Sequence, residues 1–179
     1  NVGVTGYAIT TSNTAPTSWT TTGTLTSGTK DIDSENTWYL WAKDSAGNTN
    51  SANIKSYLVS RNQGAGSTLK TRYDATSETT GTEFTANTAI LAGTSVWAKA
   101  TANTGYNTPT LKHGNTEMTA NGASYTVGAT ETIESSATAN EITFNGATLS
   151  EGSYGTEYTS GEFAGATNKY VYKRISAVN

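Results

Sequence analysis

One histidine, fourteen acidic residues and no cysteine bound the chemistry open to this chain of 179 residues. Without cysteine there is no disulfide framework, no thiolate zinc site and no cysteine nucleophile. His113 sits in His113-Gly114-Asn115, which reads as an exposed turn. A serine and an acid could meet it only in space. No nucleophile-elbow pattern is present, so His113 reads as a polar loop residue and the chain as no enzyme. Asp31, Asp33 and Glu35 lie two apart and could aim carboxylate oxygens at a Ca²⁺ at ~2.3–2.6 Å. The glycine and distal glutamate of an EF-hand loop are missing, and a solvated acidic connection fits the run better. Gly152, Gly155, Gly161 and Gly165 make a glycine-rich stretch. A phosphate cradle needs a helix after such a loop, and none is expected here, so these glycines read as strand turns. No metal and no cofactor is expected.

The heaviest apolar side chains are Trp19, Trp38, Trp41 and Trp97. Residues 37–43 alternate as a strand does, with Trp38, Leu40 and Ala42 on one face and Tyr39, Trp41 and Lys43 on the other. The first set is expected in the core. The second shares its face with a lysine and is expected to reach solvent. Tyr39 and Trp41, with Trp19, are therefore the candidate binding residues, where aromatic rings could stack on sugar faces or contact a protein. The competing reading is that these rings pack against the linker or a neighbouring domain.

Composition describes the scaffold. Threonine accounts for 37 residues and serine for 18, while charged residues are only 14%. Thr, Val, Ile, Tyr and Trp with abundant Gly favour β-structure, and long helical periods are missing. The net charge is −3 with no Lys/Arg cluster, which disfavours nucleic acid as a partner. No run approaches the ~18 apolar residues of a membrane helix, and no basic-then-apolar leader is visible. Three units follow from the punctuation. Residues 1–61 hold strands at 6–10, 37–43 and 54–59, with a short β-like stretch at 19–25 and a tight turn at 44–48. Residues 62–67 read as a Gly-rich linker of short reach. Residues 68–136 hold strands near 94–100, 109–111, 123–127 and 132–134. Residues 137–179 open another unit at 142–144.

The run Trp38-Tyr39-Leu40-Trp41-Ala42-Lys43-Asp44-Ser45-Ala46-Gly47-Asn48 resembles the last hairpin of bacterial immunoglobulin-like repeats. Gly3-Val4-Thr5-Gly6-Tyr7 and Pro16-Thr17-Ser18-Trp19 resemble the middle of the same domain. Val96-Trp97-Ala98-Lys99-Ala100, Gly105-Tyr106 and Tyr125-Thr126-Val127 resemble the B-repeats of internalin-type surface proteins. Leu149-Ser150-Glu151-Gly152 through Tyr158 resembles the start of a further immunoglobulin-like or cadherin-like repeat, with Ser150 where proline is usual. Residues 169–172 would supply its next strand. Some surface domains of this kind form Lys–Asn isopeptide bonds, which need a desolvated lysine beside a protonated acid. Lys43 and Lys99 lie on predicted strands beside apolar residues. The plainer reading is an outward lysine that discourages edge pairing.

The expected fold is all-β: tandem small antiparallel sandwiches of immunoglobulin-like type and a β-repeat, joined by short linkers. The resemblance implies an exported bacterial cell-surface protein whose segment here is structural, part of a stalk, fibre or adhesin-like array. The expected partners are neighbouring copies or domains of the same protein, and a host or matrix glycan or protein. The first unit would lack its first strands and the last its end. Such a chain is a window onto a longer array, or its copies complete one another by strand complementation. The alternative function is a carbohydrate- or protein-binding module built on the exposed aromatics.

Overall fold

The computed structural model describes residues 3–21, 30–140, 142–144 and 147–149. The expectations for residues 22–25 and 150–179 lie outside the described residues. All described elements are strands, and no described helix is long and apolar enough to cross a membrane.

The first strands follow the alternation of the sequence. β1 (Val4–Thr10) pairs antiparallel with β2 (Asn36–Asp44), and β2 pairs antiparallel with β3 (Thr49–Gln63). The turn between β2 and β3 is fixed by Asp44. Its carboxylate accepts from the Asn48 backbone N–H and from Asn48 Nδ2, both at 2.9 Å. Gly47, at φ +90°, provides the left-handed residue. The hydrogen bond from Asn48 Nδ2 is the main reason the Asp44 carboxyl is held below its ordinary pKa.

β3 runs for 15 residues, well past the end expected at 59. Asn62 and Gln63, read from sequence as linker, are its last two residues. Ser56 lies opposite both Asn36 of β2 and Leu91 of β6 (Thr88–Leu91), and Val59 opposite both Thr88 of β6 and Glu131 of β11 (Glu131–Ser136). A strand has two edges, so β2 and β11 share one edge of β3 end to end, and β6 lies on the other. The β3–β11 pair is parallel, from Val59 opposite Glu131 to Gln63 opposite Ser135. Beyond β11 come β8 (Thr110–His113) and β9 (Thr116–Met118), both antiparallel.

A second sheet runs β10 (Ala123–Thr126), β7 (Ser95–Ala102), β4 (Ser67–Tyr73), β5 (Thr82–Glu83). Its inward residues Leu69, Val96, Ala98 and Ala100 meet Val59, Ile90, Leu111 and Ile133 of the large sheet in one buried cluster. Val59, Val96, Leu111 and Ile133 are almost wholly buried, each removing apolar surface from water to the value of ~1.5–3 kcal/mol. β12 (Ile142–Phe144) and β13 (Ala147–Leu149) form a separate hairpin.

Candidate functional site

The sequence-derived candidates Tyr39, Trp41 and Trp19 lie on one face of the β1-β2-β3 sheet, but not as an open aromatic surface. Residues 11–20 cross that face as a strap. Thr20 closes the strap onto β1 by a reciprocal backbone pair with Tyr7, at 3.0 and 2.9 Å. Trp19 lies over Gly6, where an added Cβ would stand 3.3 Å from the Trp19 Cβ. Lys43 Nζ sits 5.7 Å from the centre of the Trp19 ring, within cation–π reach. Trp41 is only 8% exposed. Its Nε1 donates to Thr10 Oγ1 at 3.2 Å and to the Ser12 carbonyl at 3.4 Å. The expectation that Trp41 reaches solvent is therefore corrected: the strap covers it and takes its only donor. Tyr39 is half-buried, opposite Thr10 and Asn53. Leu40, expected in the core, is 53% exposed on the other face. Alternation sorted these residues into faces, but burial differs within a face, since Trp38 on the Leu40 side is buried.

Trp38 is buried as expected, because its Nε1 finds a partner. It donates to Ser56 Oγ at 2.7 Å, and Ser56 Oγ donates onward to the Ser34 carbonyl at 2.6 Å. Ser56 also accepts from the Asn36 backbone N–H at 3.0 Å. One buried hydroxyl thus ties the connection before β2 to the middle of β3.

The densest network sits where the sequence suggested a flexible connection. Gly64 N–H donates to the Ser135 carbonyl at 2.6 Å, and a Cβ on Gly64 would fall 2.6 Å from that oxygen. Gly66, at φ +70°, packs on the Tyr106 ring so closely that an added Cβ would clash with it. The buried hydroxyls of Ser67 and Ser135 meet at 2.9 Å. Gln63 Oε1 accepts from the Leu69 N–H at 2.9 Å, and Asn62 Nδ2 donates to Glu134 at 3.2 Å. Arg61 crosses to the second sheet, donating to the Thr85 and Leu69 carbonyls. Its guanidinium pKa is lowered by burial. Thr130, before β11, donates to Glu35, before β2. Glycines that read as slack are here required by close approach.

His113 is not the free turn residue expected from sequence. It ends β8, half-buried, with Nδ1 3.0 Å from Glu131 Oε2 and its ring stacked on Tyr125 at 4.1 Å between centres. The turn itself follows at Gly114, which has φ +52°. Tyr125 Oη is buried without a partner at hydrogen-bond geometry. Burial first, then the nearby Glu131 carboxylate, raises the phenol pKa above 10.0. A carboxylate orients the imidazole, but among the described residues no hydroxyl hydrogen-bonds to His113. The trio is a polar closure between the sheets.

The remaining candidates have local roles. Lys99 and Lys70 both pair with Glu78 at 2.9 Å. Their hydrogen bonds lower the Glu78 pKa, that from Lys99 most. Asp33 accepts from Ser34 at 3.0 Å. Among the described residues no group of three or more His, Asp or Glu side chains could hold a metal ion. No protein-family model, curated protein or solved structure matches the chain.

Proposed function

We propose that this chain is a tension-bearing structural segment of an exported bacterial cell-surface protein, part of a stalk, fibre or adhesin-like array of immunoglobulin-like and B-repeat-like units. The observation that carries the reading is β3. Its first half pairs with β2 and its last residues pair in parallel with β11, so the two units share one strand. The parallel sense has a mechanical consequence. A pull on the chain before β3 and after β11 draws two adjacent strands in opposite directions along their length. The five residue pairs of that ladder are then loaded together in shear instead of parting one at a time. The hydroxyl-rich, cysteine-free composition and the resemblance of residues 38–48 support the exported setting.

Because the chain has no cysteine, two introduced cysteines define where a force is applied. With handles at Thr49→Cys and Ser136→Cys the ladder is sheared. With handles at Gln63→Cys and Ser136→Cys it is peeled from one end. Single-molecule pulling on the full chain is expected to give a clearly higher rupture force for the first pair. Equal forces would remove the basis of the mechanical reading. Forced unfolding is governed by the unfolding barrier and not by equilibrium stability, so one protein with two handle placements isolates the geometry.

A further inference from the structure

Residues 8–10 of β1 and residues 16–20 of the strap enclose a groove of about 500 Å³, within the ~300–1,000 Å³ of small-molecule sites. Trp19 lines it and is only half-buried. The indole is supported from the sheet. Gly6 leaves room for it, and Lys43, opposite Gly6 in the ladder, holds its ammonium 5.7 Å from the ring centre. Trp38 and Trp41 use their Nε1 donors inside the chain, on Ser56 and on Thr10 and Ser12. Trp19 does not: among the described residues no acceptor meets its Nε1. Thr17, Ser18 and Thr20 line the same groove and are exposed, and their hydroxyls make no hydrogen bond among the described residues. Pro16, Ala8 and Ile9 add aliphatic surface, and no lining residue is charged.

We propose that this groove is a saccharide-binding site whose ligand is a neutral hexopyranose unit of a glycan. The lining selects the class by complementarity. A pyranose has an apolar C–H face and a rim of hydroxyls. An indole offers a rigid apolar surface at low conformational cost, with one polar handle. The C–H face rests on Trp19 and Pro16, and the rim meets Trp19 Nε1 and the hydroxyls of Thr17, Ser18 and Thr20. Each of those hydroxyls can both donate and accept, which suits a ligand whose own polar groups are hydroxyls. An anionic or cationic ligand would find no opposite charge in the lining, and an unpaired charge is costly to desolvate. An extended peptide needs backbone groups to pair with, and at this edge of β1 Tyr7 is already paired with Thr20. A proline-rich peptide docks in grooves lined by aromatic rings, and this groove has one such ring. The strap is pinned at Thr20 by Tyr7 and at Ser12 by Trp41, so the groove is formed before the ligand arrives and less ordering opposes binding. The inference goes beyond the mechanical reading and does not rest on it, because saccharide binding and resistance to shear are measured separately.

The isotope-labelled full chain is titrated with maltose, cellobiose, lactose and N,N′-diacetylchitobiose and followed by heteronuclear NMR. At least one of these neutral disaccharides is expected to bind saturably in the millimolar range, with shifts confined to residues 8–10, residues 16–20 and the Trp19 indole N–H. Trp19→Ala is expected to weaken that binding at least ~tenfold, as loss of an aromatic anchor does. This truncation also removes packing from Gly6, so a second variant keeps the ring. Thr17→Val combined with Ser18→Ala takes away two exposed hydroxyls and is expected to weaken binding at least ~twofold, with the rest of the spectrum unchanged. Shifts that never saturate with any of the disaccharides would overturn the proposal. So would binding that survives Trp19→Ala, or binding that the double variant leaves unchanged. Tighter binding of a proline-rich peptide at the same residues would overturn it as well and make the groove a peptide site.

Discussion

Residues 56–136 bury their apolar side chains between two sheets, whereas β1, β2 and the first part of β3 form a single three-stranded sheet in which Trp41 is buried on one face and, on the other, Trp38 is buried while Leu40 lies exposed. Both regions obey the same alternation, yet it leads to different outcomes. In the second region an inward Ile133 meets Leu69, Val96 and their neighbours from the facing sheet. In the first, Trp41 is buried because thirty residues upstream a chain segment crosses it, and Leu40 stays exposed because no described segment does. Periodicity specifies two faces. Which of them is dry depends on a second layer whose residues lie elsewhere in the chain.

The comparison breaks first in the core. Ile133→Ala removes methyl groups from a site with no room to collapse, since Ile133 is fully buried beside Val59 and Leu111. It should cost ~2–5 kcal/mol, read as a lower urea midpoint by tryptophan fluorescence. A cost below ~1 kcal/mol would mean that the two sheets do not form one packed core. Next comes Ser56→Ala, which tests the link between the regions. It leaves Trp38 Nε1, the Asn36 N–H and the Ser34 carbonyl without the hydroxyl they share. Stranding buried polar groups costs ~1–3 kcal/mol. Ser56→Thr, which keeps the hydroxyl, should recover much of it. Similar losses for alanine and threonine would point to shape, not the hydrogen bonds.

Much of the strand content was legible. Residues 37–43 became β2, 6–10 lie within β1, and 123–127 and 132–134 fall in or beside β10 and β11. These strands have local signatures: alternation, β-branched or aromatic residues, and a turn such as Asp44–Asn48. The length of β3 was not legible, because Arg61, Asn62 and Gln63 are polar and precede two glycines. Their strand character comes from non-local partners: β11 alongside, Glu134 on Asn62, and the Leu69 N–H on Gln63. The same limit hid the His113–Glu131–Tyr125 trio, whose members come from three strands and two sheets. Gly114 correctly signalled a turn, but a turn signal says nothing about which way the preceding side chain points. Of the candidate residues, Tyr39 and Trp41 share a face as the alternation implies, whereas Trp19 reaches Lys43 from a segment that the sequence did not tie to that face, and the segment that closes over Trp41 carries no apolar pattern by which to foresee it.

Two smaller effects sharpen the contrast between an enclosed and an open position. Tyr125 belongs to the enclosed kind. Its phenol is held above its ordinary value of 10.0 by burial and by Glu131. Below pH 10 both the folded and unfolded phenols are neutral, and the group adds no pH dependence. Above it the unfolded phenol ionises first, so the unfolded state binds fewer protons and stability falls as pH rises. Tyr125→Phe should flatten the drop in urea midpoint above pH 10. An unchanged alkaline slope would place that dependence on other groups. Leu40→Ala belongs to the open kind. The side chain is more than half exposed and has little packing to lose, so the cost should stay within ~0.5 kcal/mol. A loss of ~2 kcal/mol or more, the cost of a core truncation, would mean that Leu40 is packed within its own chain. The open position would then be an enclosed one, and the contrast between the regions would disappear.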